Sequence, residues 1–423
     1  MTTHRMAGAD ATWLHMDRPL NLMVVNTVLW FDGDADWHEL ESSFFERVVR
    51  YFDVFASRPV DPPIALGLVS GPRWESVDVR ASDHVRRIEL PSPGDDAALH
   101  HYIAGEAIRP LDPGRPLWQL HLIDGYRTGG AVLLRTHHAL GDGPALMHVL
   151  ATWAGQDSTS ARRRQPIFDA ARQSMDGISR DPAVLWRLAS GLPTKAEVLG
   201  GQLGGTKALA WSGPMRLEHL KAIGAASHAT VNDVALALIT GAIGRSVTGA
   251  SQAKRVEAVV PMSIRPKGEP LDTGLGNRFG LTFASLPTDT VDLRERIGKV
   301  KSEMDRIKAT REALIVFDAL TALGATSKRG AQSWVDAFSR RASVVITNIV
   351  GARTPLRLGP TEVAGSLLWV PSTGPVGLGV SICSYAESVR FGVMSDTLVM
   401  ADPTRLTEAL DDEIQTVTRI VSS

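Results

Sequence analysis

The stretch that most constrains the fold of this chain is residues 135–144, RTHHALGDGP. Before it, the apolar run 131–134 predicts a buried strand. After it, residues 144–153 predict a short helix with proline in its first turn. His137 and His138 therefore lie where a strand passes into a turn. Scaffolds commonly present reactive side chains at such positions, so this junction is the first candidate for a functional site.

The turn contains two glycines, Gly141 and Gly143, and one carboxylate, Asp142. Because His138 lies further into the turn, we predict that its ring faces a cleft while His137 points back into the fold. With an unperturbed pKa of about 6.5, His138 can accept a proton from an alcohol and return it to a leaving group. Asp142 is predicted to cap the following helix or to pair with an arginine, and Gly143 to permit close approach of the backbone.

A zinc site is the alternative explanation for histidine and aspartate at this spacing, since both are common zinc ligands. The sequence offers no cysteine or histidine cluster elsewhere as an obvious third ligand, so we predict a general base and no metal. A second pair, His100–His101, lies within the helical run 96–108 and is predicted to lie on the surface of that helix.

Hydrophobic periodicity and turn residues predict the other elements. The predicted strands are 22–31, 117–123, 131–136, 256–261, 344–350, 380–384 and 390–394, of which the second and third, and the last two, form hairpins. The predicted helices are 37–52, 96–108, 144–153, 181–189, 230–243, 293–307, 313–323 and 406–420. Both halves of the chain thus mix strands and helices.

Composition narrows the class of protein. The 423 residues are 44% apolar and 22% charged with a net charge of −1, typical of a soluble globular protein and without the basic excess that nucleic-acid binding needs. The single cysteine, Cys383, rules out an internal disulfide framework. The N-terminus lacks a signal-peptide pattern, and no run approaches the roughly 18 apolar residues of a spanning helix. A cytoplasmic location with at most peripheral membrane or lipid-droplet contact is predicted.

A change of composition divides the chain. Between residues 156 and 205, a triple arginine at 162–164 and paired glycines predict a linker with helical pieces. We therefore predict an N-terminal unit, 1–155, this linker, 156–205, and a C-terminal unit, 206–423. The amphipathic piece at 181–189 is predicted either to touch a lipid surface or to pack on the second unit.

The pattern HHxxxDG at 137–143 resembles the signature of the CoA-dependent acyltransferase superfamily, and the whole chain resembles the bacterial wax ester synthase/diacylglycerol acyltransferase family. Further stretches carry the likeness in the family's order: residues 7–19, Pro116-Leu117-Trp118 with HLIDG at 121–125, TVNDV at 230–234, PMSIRP at 261–266 with LGNR at 275–278, and ITNIVG at 346–351. The resemblance implies a mixed α/β fold. It consists of two chloramphenicol-acetyltransferase-like lobes, each a mixed sheet flanked by helices, with a channel between them.

The resemblance also implies a reaction. Acyl-CoA is the co-substrate, no other cofactor is needed, and the acyl group passes to a long-chain alcohol or a diacylglycerol. His138 would remove the hydroxyl proton and then protonate the departing CoA thiolate, without a covalent acyl-enzyme. Two alternatives stay open: a condensation-type enzyme that uses carrier-protein-bound donors, and a non-catalytic lipid-binding protein of the same fold.

The family's pattern implies roles for residues outside the signature. Asp142 would be structural and would pair with Arg18 or Arg265. The oxyanion donor would be Asn348, Thr347 or Asn232, among which the sequence does not choose. Asn232 and Asp233 are predicted to be either functional or helix caps. The residues predicted to contact substrate are Pro116, Leu117, Trp118, Asn232, Asp233 and Asn348.

Overall fold

A computed structural model describes residues 3–61, 71–156, 199–246, 255–266, 271, 275–372 and 374–422. The helices are α1 Gly8–Met16, α2 Trp37–Phe44, α3 Ala81–His84, α4 Asp96–Ala107, α5 Gly143–Trp153, α6 Leu217–Ala226, α7 Val231–Ser246, α8 Leu293–Lys308, α9 Glu312–Leu323, α10 Lys328–Ser339 and α11 Thr404–Ser422. The strands are β1 Thr3–Arg5, β2 Val24–Trp30, β3 Ser57–Val60, β4 Arg73–Ser76, β5 Val85–Glu89, β6 Trp118–Tyr126, β7 Gly129–His137, β8 Lys207–Trp211, β9 Met215–Arg216, β10 Val256–Ser263, β11 Phe279–Leu286, β12 Val344–Val350, β13 Arg357–Leu358, β14 Thr361–Glu362, β15 Gly365–Trp369, β16 Leu378–Tyr385 and β17 Ser388–Asp396.

The N-terminal sheet is built around the predicted hairpin. Within the described residues its strand order is β15-β2-β7-β6-β5, and β7 is central, antiparallel to both β2 and β6. Central strands buried on both faces favour apolar residues, and β7 is buried over nearly all of its length. The strand that ends at His137 is therefore held on both edges, which fixes where the following turn begins.

The C-terminal sheet has the order β11-β10-β12-β16-β17-β8 in the part of the chain that the structure describes, with β9 also paired to β17. The pairs β10/β12 and β12/β16 are parallel and the others antiparallel. Helices α7, α8 and α11 pack on this sheet around an apolar cluster. Both sheets are mixed and flanked by helices, so the predicted fold class is confirmed.

One strand from the second half of the sequence belongs to the first sheet. Strand β15 pairs antiparallel with β2, from Gly365 opposite Trp30 to Trp369 opposite Asn26. A shared apolar cluster joins the two sheets, and in it Trp211 stands between Trp30 and Trp369 with ring centroids 5.7 Å from each. The predicted C-terminal unit, 206–423, therefore supplies one strand, β15, to the edge of the sheet formed by the N-terminal unit, 1–155.

Local signals in the sequence agree with local structure. Asp36 caps α2 by accepting from the Glu39 N–H at 3.0 Å. The second hairpin, β16–β17, turns through Ala386 and Glu387, both of which have positive φ, 47° and 63°. Two successive positive φ angles match the right-handed twist of a two-residue hairpin turn. The sequence predicted this hairpin, and it is confirmed.

The prediction for His100 was only half right. Both His100 and His101 lie on α4 as expected, and His101 is exposed. The ring of His100, however, meets Trp211 edge-on at 4.0 Å, and burial lowers the pKa of His100 to about 4. The helix faces the shared tryptophan cluster, which the pattern of α4 alone does not reveal.

Some predictions lie outside the described residues. These are the triple arginine at 162–164, the amphipathic piece at 181–189 and most of the linker. Within the described part of the chain, no single helix has the length and apolar character needed to cross a membrane. Helices α6 and α7 reach that length and composition only as a pair, and they meet at 98°.

Candidate active site

The two histidines lie at the end of β7, where the backbone is anchored from two sides. The N–H of His137 donates to the carbonyl of Leu117 at 2.9 Å, and the N–H of His138 donates to the carbonyl of Met23 at 2.7 Å. A single 3-10 turn, His138–Leu140, then leads into α5. The backbone that carries His138 is thus fixed by neighbouring strands and not by the turn alone.

A second turn, residues 275–278, docks on the histidine turn from the other half of the chain. The N–H of Gly276 donates to the carbonyl of Leu140 at 3.2 Å, and Gly141 and Gly276 form a parallel bridge. Gly276 has φ of 88°, and a Cβ there would lie 3.2 Å from Oδ2 of Asp10. A side chain would therefore meet both strain and crowding at this position.

The hydrogen bonds around Asn277 determine which nitrogen of His138 carries the proton. The Asn277 amide donates to Oδ1 of Asp10 at 2.7 Å and to the backbone carbonyl of His138 at 2.7 Å, and both partners only accept. Its Oδ1 therefore faces Nδ1 of His138, 2.9 Å away, so Nδ1 must be the donor. This leaves Nε2 of His138 with a lone pair and without a hydrogen-bond partner among the described residues.

Aromatic rings enclose His138. Trp13 of α1 stacks on the imidazole with centroids 4.4 Å apart and planes 16° from parallel, and Phe279 lies at 5.5 Å. The residue retains 7% of its exposure. Burial lowers the pKa of His138, while its own carbonyl, Asp142 and Asn277 oppose that shift. Neutral imidazole, the form that accepts a proton, is therefore favoured at neutral pH.

His137 points into the fold. Its Nδ1 accepts from the N–H of Ala139 at 3.0 Å, so the proton resides on Nε2, which lies 3.8 Å from Oδ1 of Asp17. Burial lowers the pKa of His137 to about 3. A neutral, buried ring with its lone pair in use organises the turn and does not transfer protons.

Asp142 both caps α5 and pairs with an arginine. It accepts from the Ala145 N–H at 3.1 Å, from Nη2 of Arg265 at 3.0 Å and from the Arg278 N–H at 2.9 Å. The carboxylate thus connects α5 to the segments after β10 and before β11. Arg18, the other candidate partner, instead contacts Asp336 of α10 at 2.9 Å because α1 ends against that helix.

Asp10 and Asn277 are site residues whose roles the sequence did not indicate. Both fall in stretches that carry the family resemblance, but they are 267 positions apart. Besides its side chain, the backbone N–H of Asn277 also donates to Oδ1 of Asp10, at 2.9 Å. The available sequence signal was an aspartate within a mostly apolar segment, and this signal does not identify the residue to which Asp10 is hydrogen-bonded.

Of the residues predicted to line the channel from the C-terminal lobe, Asn348 and Asn232 contact each other, whereas Asp233 contacts the start of its own helix. Asn348 donates to Oδ1 of Asn232 at 3.0 Å, and Asn232 is buried with its own amide nitrogen unpaired. Asp233 and Thr230 exchange hydrogen bonds across the start of α7, so Asp233 is a cap. Because side chains alternate along a strand, Thr347 lies on the opposite face of β12 from Asn348.

The structure places Pro116, Leu117 and Trp118, which were predicted to contact substrate, at and just before the start of β6. All three are buried in the N-terminal lobe. The indole N–H of Trp118 donates to the carbonyl of Phe55 at 2.8 Å, and its ring stacks on His84 at 4.3 Å. Leu117 and Trp118 belong to the apolar core of the N-terminal lobe, and the carbonyl of Leu117 fixes the backbone of His137.

Gly143 lies against the second lobe. A Cβ at this position would come within 2.4 Å of Cδ1 of Ile349. Beside this contact, a small cleft opens between α5, β12, β15 and β16. Its walls include Met147, Ala151 and Leu367. Among the described residues, no group of three or more histidine, cysteine or carboxylate side chains is arranged to hold a metal ion.

Comparison with known proteins shows the family of this chain. Residues 6–213 match the wax ester synthase/diacylglycerol acyltransferase catalytic domain, and residues 275–418 match the C-terminal domain of the same family. A Mycobacterium tuberculosis protein named "Probable diacyglycerol O-acyltransferase tgs1" is 27% identical over 432 residues, covering 94% of this chain and 92% of that protein.

Solved structures show the same fold. The wax ester synthase/diacylglycerol acyltransferase from Marinobacter aquaeolei superposes with a TM-score of 0.68 at 20% identity, covering 99% of this chain and 100% of that one. The first condensation domain of the calcium-dependent antibiotic synthetase gives 0.64 at 15% identity, covering 98% and 95%. Since the two domain matches together span most of the chain, it belongs to the wax ester synthase/diacylglycerol acyltransferase family of acyltransferases.

Proposed function

We propose that this protein transfers a fatty acyl group from acyl-CoA to the hydroxyl of a long-chain alcohol or a diacylglycerol, with no cofactor besides the acyl-CoA co-substrate. The observation that carries the proposal is the state of His138. Its Nδ1–H is held by Asn277, and Nε2 is left as an acceptor at the family's signature turn. That is the state a general base needs before it meets an alcohol.

In the proposed reaction, Nε2 of His138 takes the hydroxyl proton as the alcohol oxygen attacks the thioester carbonyl carbon. The new C–O bond forms, a tetrahedral oxyanion develops, and the C–S bond then breaks. The imidazolium returns the proton to the departing thiolate, so the base is regenerated and no acyl-enzyme is formed. We assign the oxyanion donor to Thr347, because it shares the face of β12 with Ile349, which contacts Gly143.

The reaction is tested by measuring thiol release from palmitoyl-CoA with hexadecanol, with a diacylglycerol and without acceptor. We expect release that depends on an acceptor, together with the matching ester. Release from an acylated carrier protein alone would support the condensation-type alternative. Lipid binding without release from any donor would support the non-catalytic alternative. The likeness to condensation domains concerns the fold alone, so it does not favour carrier-bound donors.

The cleft beside Gly143 supports a long-chain substrate. It is lined mainly by apolar side chains, as a site for a hydrocarbon chain requires. We assign it to part of the acyl or alcohol chain. Since such lipids partition into membranes and lipid droplets, the proposal includes a cytoplasmic enzyme that contacts a lipid surface peripherally.

Filling the cleft will change chain-length preference. Ala151→Leu adds an isopropyl group to its wall, so the ratio of kcat/KM for long over medium chains will fall by about tenfold. The measurement is a competition between palmitoyl-CoA and octanoyl-CoA, and between hexadecanol and octanol. Thr152→Leu, the next residue of α5, lies outside the cleft and serves as the control. Equal ratios in both variants would remove the cleft from substrate binding.

A further inference from the structure

The carboxylate of Asp10 lies at the end of a chain of groups that leads to the catalytic ring. Asp10 accepts two hydrogen bonds from Asn277, one from the backbone N–H and one from the side-chain amide, and both reach the same atom, Oδ1. Asn277 in turn accepts from Nδ1 of His138 and donates to the carbonyl of that residue. Every one of these four bonds is between 2.7 and 2.9 Å.

The arrangement is polar, buried and directional. Asp10 is 6% exposed and Asn277 also 6% exposed, so neither group is hydrated freely. Because both acceptors of the Asn277 amide nitrogen lack a proton to give, the amide is fixed in one orientation. A fixed amide oxygen at Nδ1 excludes the opposite tautomer of His138. In that tautomer Nε2 would carry the proton and could not accept one from the alcohol.

We propose that Asn277 and Asp10 are positioning residues for His138. Asn277 holds the ring as the Nδ1–H tautomer, and the Asp10 carboxylate stabilises the imidazolium that forms when Nε2 takes the hydroxyl proton. The proposal rests on the proposed acyl transfer. The two residues that support the base are 267 positions apart in the sequence, Asp10 in α1 and Asn277 in the turn before β11.

The charge on Asp10 agrees with this role. Burial raises the pKa of Asp10 to about 6, so the group is an anion at neutral pH and above. The other charged or titratable groups around His138 are Asp142 at the start of α5, Arg265, which is paired with Asp142, and His137, which burial keeps neutral. Asp142 opposes the lowering of the His138 pKa directly, whereas Asp10 acts on the ring through the hydrogen bonds of Asn277.

Asp10→Asn tests the charge without changing the shape. The amide oxygen of the introduced side chain can accept both bonds from Asn277, so folding is expected to be retained. With the carboxylate gone, the imidazolium is less stable and the pKa of His138 falls. The acidic limb of the pH profile of kcat/KM will move to lower pH by about one unit, and kcat will fall by about tenfold. An unchanged limb and an unchanged kcat would overturn the role of Asp10.

Exchanging the two side chains gives the opposite shift. In Asp10→Asn/Asn277→Asp, a carboxylate lies directly on Nδ1–H and the amide at position 10 donates to it. An adjacent anion raises the pKa of His138, so the acidic limb will move up by about one pH unit or more relative to the unmodified protein. A merely structural pair predicts loss of activity in both variants without shifts of opposite sign.

Asn277→Leu removes the lock on the ring. We expect kcat to fall by about 100-fold while KM stays within about threefold, since binding groups are untouched. Nitrogen-15 NMR of the histidine rings, with the His138 signals identified from their loss in His138→Ala, reads the tautomer without turnover. We expect Nδ1–H alone in the unmodified protein and both tautomers in Asn277→Leu.

The NMR measurement separates the two proposals. If the tautomer and the pKa of His138 respond as stated while no acyl-CoA is consumed, the positioning roles stand and the proposed acyl transfer fails. If acyl transfer proceeds and Asn277→Leu keeps a single Nδ1–H tautomer with unchanged kcat, the positioning roles are wrong. Thermal unfolding of each variant shows whether a loss of activity reflects a loss of fold.

Discussion

His138→Ala will lower kcat for acyl transfer by about 10³- to 10⁴-fold, because no other group replaces the proton acceptor at the turn. His137 does not substitute for it. That ring is buried, its Nδ1 accepts from Ala139, and its pKa is lowered to about 3. The loss will appear mainly in kcat, since the aromatic walls formed by Trp13 and Phe279 remain.

The measurement is acceptor-dependent thiol release by purified protein, with esters identified in the same reactions. His101→Ala is the matched control, since His101 is exposed on α4 and its removal is expected to change the rate by no more than about twofold. A His138→Ala protein that folds and keeps more than about a tenth of the rate would exclude His138 as the general base.

Asp142→Ala will lower the free energy of unfolding by about 3–5 kcal/mol, because it leaves Arg265 buried without a carboxylate. The same change removes the cap from α5 and the acceptor for the N–H of Arg278. The side chains of the pair are only 4% and 11% exposed, so water cannot replace the lost partner fully. We expect the turn that carries His138 to loosen with it.

Urea unfolding followed by tryptophan fluorescence measures this loss. Asp336→Ala is the matched control, because it breaks the aspartate–arginine pair with Arg18, whose side chains are 32% and 25% exposed. Partly exposed ion pairs contribute about 0–1 kcal/mol, so the free energy of unfolding of this variant will lie close to that of the unmodified protein. Equal losses in both variants would show that the Asp142–Arg265 pair stabilises the fold no more than the partly exposed Asp336–Arg18 pair does.

Short-range patterns in the sequence predicted most of the local structure correctly. The hairpin of β6 and β7 and the helix that begins after Asp142 depend on apolar periodicity and on a cap within three residues. The same holds for the hairpin of β16 and β17. These features depend on residues that lie within one turn or one hairpin of each other, so they can be predicted from local sequence alone.

Partners far apart in the chain were decided by the packing of sheets and helices. By sequence, Arg18 and Arg265 were equally suitable partners for Asp142. In the structure, Arg265 reaches Asp142 because it follows the end of β10, whereas Arg18 pairs with Asp336. Trp118 fits a substrate wall and a core equally well by composition, and only the structure places its ring in an apolar cluster of the N-terminal lobe.

The sequence by itself determined the signature turn and the family to which the chain belongs. Only the tertiary structure joined Asp10 to Asn277 and placed β15 in the N-terminal sheet. The physical reason is range. Propensity, capping and periodicity act over a few residues, whereas the contacts that orient His138 arise when two turns more than 130 positions apart dock on each other.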